Sequence, residues 1–147
     1  MTSETRVSMK EKKIRCVIFD FDGTLFGETI FPHAEILLRQ IHELNIKQAL
    51  ATFNPHIKFY CERYGIGKYF EKVYYGRCKD FKLSYVKQII HHYNITGYGL
   101  QEEECLFIDD NPDNIREVSK ATKVTCIKVE PKEGIQREQL EIYLKLP

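Results

Sequence analysis

Asp20-Phe21-Asp22-Gly23-Thr24 follows directly on a short apolar run, Ile14 to Phe19, and Asp109-Asp110-Asn111 follows on another, Glu104 to Ile108. A third run, Ile46 to Ala51, leads into Thr52-Phe53-Asn54, and Lys82 stands just ahead of a helical pattern. Apolar runs of this length that stop abruptly read as buried strands. Acids, a hydroxyl and a lysine are therefore delivered at the ends of elements. Carboxylates gathered on one edge repel each other unless a cation joins them. An all-oxygen donor set with few carboxylates suits Mg²⁺, which keeps part of its water and completes its shell with substrate phosphate. Asp20 and Asp22 are two apart, so on an extended chain both face the same way. One can attack while the other exchanges protons. Gly23 allows a sharp turn, and Thr24 can hydrogen-bond locally to hold it. Thr52 can donate to a phosphoryl oxygen. Lys82 is a point charge able to neutralise a phosphoryl oxygen or the nucleophile.

Each piece alone has an ordinary structural reading. Asp-x-Asp is common in surface turns, a Thr often ends a strand, and a lone Lys is usually solvated. Asp109 to Pro112 could serve only as a helix N-cap, with Pro112 where a missing N–H costs nothing. Four such features together, each at an element boundary, point to a site.

The elements that must position these residues alternate. After the first run, Pro32 opens a helical pattern carrying Ile36, Leu37, Ile41 and Leu44, which Asn45 can close. Asn54-Pro55 marks the next helix start, with Gly65 as its stop. Lys72 to Tyr75 reads as a short strand. Ser84 is the expected N-cap of a helix bearing Val86, Ile89 and Ile90. Pro112 starts a helix through Ile115 and Val118, Val124 to Val129 is a further strand, and Ile135 to Leu144 a final helix. Strands alternating with helices imply βαβ units, a parallel sheet and right-handed crossovers. All strand C-termini then share one edge, outside which ligands bind. The expected fold class is α/β, a three-layer parallel sheet with helices on both faces.

Composition narrows the function further. The chain has 147 residues, a length that suits one domain. Its formal charge is +1, from 22 basic and 21 acidic residues, so no global field favours nucleic acid or an acidic membrane. The cysteines at 16, 61, 78, 105 and 126 form no C-x-x-C pair and are odd in number. They read as free thiols in a reducing compartment. His91 and His92 are adjacent, about 100° apart on a helix, and make a poor chelate. No apolar run approaches the ~18 residues of a membrane span. Met1 to Lys13 is polar and charged, unlike a secretion signal. It reads as a loose tail on a cytoplasmic protein, with residues 14–147 forming the single domain.

Val17 to Phe26 (VIFDFDGTLF) resembles the first motif of the haloacid dehalogenase (HAD) superfamily, Asp-x-Asp-Gly-Thr after an apolar strand. Phe31 to Thr52 is similar to that family's next helix and second-motif strand, with Thr52 as the Ser/Thr. Leu106 to Ile115 (LFIDDNPDNI) resembles the fourth motif in its Asp-Asp-x-x-x-Asn form. For the third motif Lys82 fits best and Lys79 is the rival, because the common Lys-Pro dipeptide is absent. The resemblance spans roughly residues 14 to 129 and implies a Rossmann-like HAD core. It implies Asp20 as the nucleophile that forms an aspartyl-phosphate, and Asp22 as general acid and then general base. It implies Mg²⁺ bound by Asp20, the backbone carbonyl of Asp22 and a fourth-motif acid, with Asp110 in the usual ligand position and Asp109 its neighbour and substitute. A second Asp in the first motif points to phosphate ester hydrolysis. A phosphotransferase using the same intermediate, and a binding or scaffold domain without turnover, are the alternatives.

HAD enzymes often carry a cap domain after the first motif or between the second and third. Leu25 to Phe31 is only long enough for a flap, and Thr52 to Lys82 is used up by one helix and one strand. No cap domain is expected. Within the family that open form goes with macromolecular phosphorylated substrates, such as phosphoproteins or nucleic acid ends, and with phosphosugars. Phe26, Phe31, Phe53, His56, Lys58, Arg77 and Lys79 are the candidate rim residues. For the aromatics packing is the ordinary role, and His33 and His56 read as helix-start residues.

Overall fold

The computed structural model describes residues 13–147. The expected N-terminal tail therefore lies outside the described residues except for Lys13. Five strands form one fully parallel sheet: β1 (Cys16–Phe19), β2 (Lys47–Thr52), β3 (Lys72–Tyr75), β4 (Cys105–Asp109) and β5 (Thr125–Lys128). Their spatial order is β3-β2-β1-β4-β5. Between them run α1 (Pro32–Glu43), α2 (Ile57–Tyr64), α3 (Leu83–Ile95) and α4 (Pro112–Ala121), and α5 (Arg137–Glu141) follows β5.

The strands are apolar runs because both faces of the sheet are covered. Every residue of β1 and of β4 is buried. On one face Val17, Phe19, Leu50, Leu106 and Ile108 pack with Leu38 and Ile41 of α1, Ile57 of α2 and Leu140 of α5. On the other, Cys16, Ile18, Ala49 and Phe107 pack with Val86, Ile89 and Tyr93 of α3 and Val118 of α4. The chain winds one way from β1 to β3, crosses back through α3, and continues through β4 to β5. Beyond the C-terminal ends of β1 and β4, where the winding reverses, lies the topological switch point. Asp20 follows β1 and Asp109 ends β4, and these strands pair in register from Cys16 with Cys105 to Phe19 with Ile108.

The helix stops behave as their chemistry demands. Asn45 closes the turn after α1 at φ 60°, and Gly65 caps α2 at φ 65°. Two starts differ from expectation. Pro55 does not open α2; His56 is the N-cap, and Asn54 accepts the His56 N–H in a turn ahead of it. Ser84 does not cap α3. Lys82 holds the N-cap position, and the Ser84 hydroxyl donates instead to Asp80. The last helix is also shorter than its apolar stripe suggested, ending at Glu141.

No cap domain is present among the described residues. Leu25 to Phe31 makes only a flap with isolated bridges from Asp22 to Phe26 and from Phe26 to Ile30. Thr52 to Lys82 holds α2, one 3-10 turn and β3. No described helix is long and apolar enough to cross a membrane.

Candidate active site

Asp20 leaves β1 with its backbone N–H donating to the Ile108 carbonyl at 2.8 Å, so the β1–β4 ladder itself fixes its Cα. Its side chain is almost fully buried and both oxygens are held. Lys82 Nζ donates to Oδ1 at 2.6 Å, and the Thr24 hydroxyl donates to Oδ2 at 3.2 Å. Thr24 thus does more than steady its turn: it reaches back to the carboxylate four residues earlier. Lys82, 2% exposed, also donates to Asp109 Oδ2 at 2.9 Å. Lys79 is exposed on the preceding loop, so Lys82 is the lysine that the fold brings to the acids.

Delivering Lys82 takes an unusual backbone. Phe81 and Lys82 are consecutive residues at φ 53° and 68°, a region that costs L-residues roughly 1–2 kcal/mol each. The Lys82 N–H is satisfied by the Cys78 thiol at 3.1 Å. The Lys82 side chain caps nothing, because its ammonium is spent on Asp20 and Asp109.

Asp109 is fully buried and fully engaged. Its Oδ1 accepts the Asn111 N–H at 2.9 Å, and its Oδ2 accepts from Lys82 and from Asn114 Nδ2 at 3.0 Å. Asn111 in turn caps α4 by accepting the Asp113 and Asn114 amides. The N-cap reading of this stretch thus holds for Asn111, while the acids face the site. Oxygens of Asp20, Asp109 and Asp110 lie within 4.8 Å of one another.

Burial is the main force raising the Asp20 carboxyl well above the ordinary carboxylate range. Lys82 opposes that rise, and Asp109 and Asp110 add to it. Asp110 is raised chiefly by burial as well. Burial alone would lower Lys82, yet Asp20 and Asp109 outweigh it and hold the ammonium charged. Three carboxylates and one ammonium leave a negative surplus in a poorly solvated crevice. That donor set, all oxygen and drawn within 4.8 Å, fits a hard divalent cation.

Gly23 is the turn residue such a cluster requires. Its φ is 80°, and a Cβ there would stand 2.5 Å from Asp110 Oδ2 and 3.1 Å from the Pro131 Cβ. Gly23→Ala is expected to lower the melting temperature by about 4–8 °C, the effect of about 2 kcal/mol in a chain of this size. The Asp110 carboxylate must move to make room, which disturbs the acid cluster. Thermal unfolding checks the loss.

The second-motif segment closes another wall. The Thr52 hydroxyl accepts the Asn54 N–H at 3.1 Å, leaving its own proton to donate. Asn54 Nδ2 donates to Asp22 Oδ2 at 3.1 Å. Asp22 itself is exposed. The Phe53 ring lies over Lys82 Nζ, 4.9 Å from centroid to ammonium, and screens it from water.

Other rim candidates divide. Phe26 supports the flap, stacked on Phe21 at 4.9 Å and against Tyr60 at 5.1 Å. Phe31 packs on His33, whose Nε2 lies 3.0 Å from the Glu133 carbonyl. His56 is exposed, Lys58 lies over the Tyr75 ring, and Arg77 is exposed on the loop with Lys79. The sequence marks Asn54 only as a helix start and Asn114 only as the Asn of the Asp-Asp-x-x-x-Asn pattern, and it does not single out Gly134. Gly134 sits where a Cβ would meet the Thr24 carbonyl at 2.5 Å and the Phe31 ring at 2.6 Å. Its neighbour Ile135 donates its N–H to that same carbonyl, so the segment after β5 buttresses the Asp20–Thr24 turn.

The chain matches no protein-family model and no curated protein. Its structure does match solved ones. The N-terminal part of a Bacteroides fragilis protein, containing a phosphatase domain and complexed with Mg, aligns over 97% of this chain at TM-score 0.70 and 15% identity. The alignment spans 43% of that longer chain. A HAD-like family hydrolase from Porphyromonas gingivalis aligns over 91% of this chain and 100% of its own, at TM-score 0.69 and 14% identity. This chain has the HAD-like fold. The cobalt-bound deoxy-D-mannose-octulosonate 8-phosphate phosphatase from Haemophilus influenzae shares it at TM-score 0.58 and 16% identity, over 80% of this chain and 68% of that one. In the HAD-like frame, the buried Asp20 and Asp109 and the half-buried Asp110 stand at the switch point of a parallel sheet of order β3-β2-β1-β4-β5.

Proposed function

We propose that this chain is a Mg²⁺-dependent phosphomonoester hydrolase acting through an aspartyl-phosphate on Asp20. The observation that carries the reading is the way Asp20 is held. It is a buried carboxylate gripped by Lys82 and Thr24, within 4.8 Å of two more acids. A structural acid gains nothing from such crowding, whereas an attacking group needs this fixed orientation.

Asp20 attacks phosphorus, with one oxygen steadied by Lys82. Asp22 hands its proton to the leaving oxygen and then takes one from the water that opens the aspartyl-phosphate. The free proton of Thr52 and the charge of Lys82 stabilise phosphoryl oxygens. Mg²⁺ would be held by Asp20, the Asp22 backbone carbonyl and Asp110. Bound there, it supplies charge neutralisation between two anions. We assign Asp110 rather than Asp109 to the metal because both Asp109 oxygens are already tied to Lys82, Asn114 and the Asn111 amide. Asp109 then serves to seat the lysine.

The absence of a cap among the described residues favours phosphorylated macromolecules or phosphosugars over small, fully enclosed substrates. We read residues 14–147 as the one catalytic domain. The free cysteines suit a reducing compartment such as the cytoplasm. The test is hydrolysis of p-nitrophenyl phosphate by the purified chain, with Mg²⁺ and with EDTA. Turnover that needs Mg²⁺ is the expected result, and turnover indifferent to EDTA would exclude the metal's role.

A further inference from the structure

Asn54 makes three contacts that only an asparagine can combine. Its Oδ1 accepts the His56 N–H at 2.8 Å, its backbone N–H donates to Thr52 Oγ1 at 3.1 Å, and its Nδ2 donates to Asp22 Oδ2 at 3.1 Å. The first contact fixes which way the amide faces, because the oxygen must meet an N–H and the nitrogen is then left for the carboxylate. Pro55 further restricts the Asn54 backbone. A turn cap needs only the first contact, which Asp would supply equally well and Ser more weakly. The donor aimed at Asp22 is surplus to that need.

We propose that Asn54 is a positioning residue that orients the Asp22 carboxyl for proton transfer; the proposal rests on the acid–base role given to Asp22 above. With Oδ2 occupied by an N–H donor, the transferable proton sits on Oδ1. As Asp20 bonds to phosphorus and the ester P–O bond breaks, that proton passes from Oδ1 to the leaving oxygen. In the second half Oδ1 takes a proton from the attacking water, and Asp20 departs as carboxylate. Through its backbone the same residue occupies the acceptor side of Thr52, so one turn orders both the proton donor and a phosphoryl contact.

The test uses Asn54→Ser, which keeps a turn acceptor for the His56 N–H but is too short to reach Asp22. kcat/KM is measured on p-nitrophenyl phosphate, whose leaving group needs little protonation, and on glycerol phosphate, whose alkoxide needs it fully. General acid catalysis contributes about 10²–10⁴-fold. The expected loss is therefore ~30-fold or more on glycerol phosphate and only a few-fold on p-nitrophenyl phosphate, at an unaltered melting temperature. Adding Asn54→Ser to Asp22→Asn should cost nothing further on glycerol phosphate. Equal losses on both esters, or no loss on either, overturn the proposal. Full glycerol phosphate turnover by Asp22→Asn, or none by the unaltered chain, overturns instead the reading on which it rests.

Discussion

Asp20→Asn should leave p-nitrophenyl phosphate turnover below about 10⁻⁴ of the unaltered rate while the protein stays folded. The acceleration at stake is large, since uncatalysed phosphate monoester hydrolysis is among the slowest reactions that enzymes serve. An amide is neither anionic nor nucleophilic, and it cannot form the aspartyl-phosphate. Its shape nevertheless preserves the local contacts, because the Asn carbonyl can still accept from Lys82 or Thr24. Asp20 is a buried acid raised by its own burial and crowded by Asp109 and Asp110. Removing its charge should therefore leave the melting temperature of the metal-free protein equal or higher. Loss of activity with retained stability separates chemistry from folding. Residual turnover within about 10-fold of the unaltered protein would sink the mechanism, since an amide cannot carry the phosphoryl group.

Lys82→Met is the counterpart, with its largest effect on stability. Methionine preserves much of the aliphatic stem volume and removes the ammonium. Among the described residues, Asp20 and Asp109 then lose the one cation that reaches both, at 2.6 and 2.9 Å. Breaking a buried pair by deleting one partner typically costs about 3–5 kcal/mol, or about 6–20 °C in the melting temperature of a chain this size. Thermal unfolding in EDTA measures the loss. Millimolar Mg²⁺ should restore part of it, because a cation bound among the acids replaces some of the missing charge. A variant melting within 2 °C or so of the parent, in EDTA, would mean that the acids do not depend on Lys82.

Most of the sheet was legible in the sequence because parallel strands covered on both faces are apolar runs with abrupt ends. β1, β2 and β4 could be found from that alone, and the acids mark where they stop. β3, short and polar on one side, gave only a weak strand signal at Lys72 to Tyr75, where the structure does place it. The starts of α2 and α3 were not legible. Local propensity favours Ser84 as a cap, but the pull of two buried carboxylates on Lys82 sets the turn instead. Asn54-Pro55 looks like a helix start, yet Asn54 is committed to a turn and to Asp22. Neither outcome is a property of the neighbouring residues. Gly134 gave no signal for the same reason: its requirement comes from the Thr24 carbonyl and the Phe31 ring, far away in sequence. Asn114 did carry one, as the Asn that ends the Asp-Asp-x-x-x-Asn pattern. Its purpose became visible only with the bond to Asp109.

The strand order also bears on how the chain is made. β1 is synthesised before the other described strands, but its final neighbours are β2 and β4. Until residue 109 has left the ribosome, one side of β1 is an unpaired ladder of buried-type residues, Cys16 to Phe19. At about 5–20 residues per second, that interval lasts roughly 5–20 s. A nascent or truncated chain ending before β4 therefore presents a bare apolar edge, the geometry that recruits other strands. Termination before β4 would yield fragments bound for aggregation or chaperones and lacking the acids of the site, because Asp109 and Asp110 arrive with the strand that covers this edge of β1.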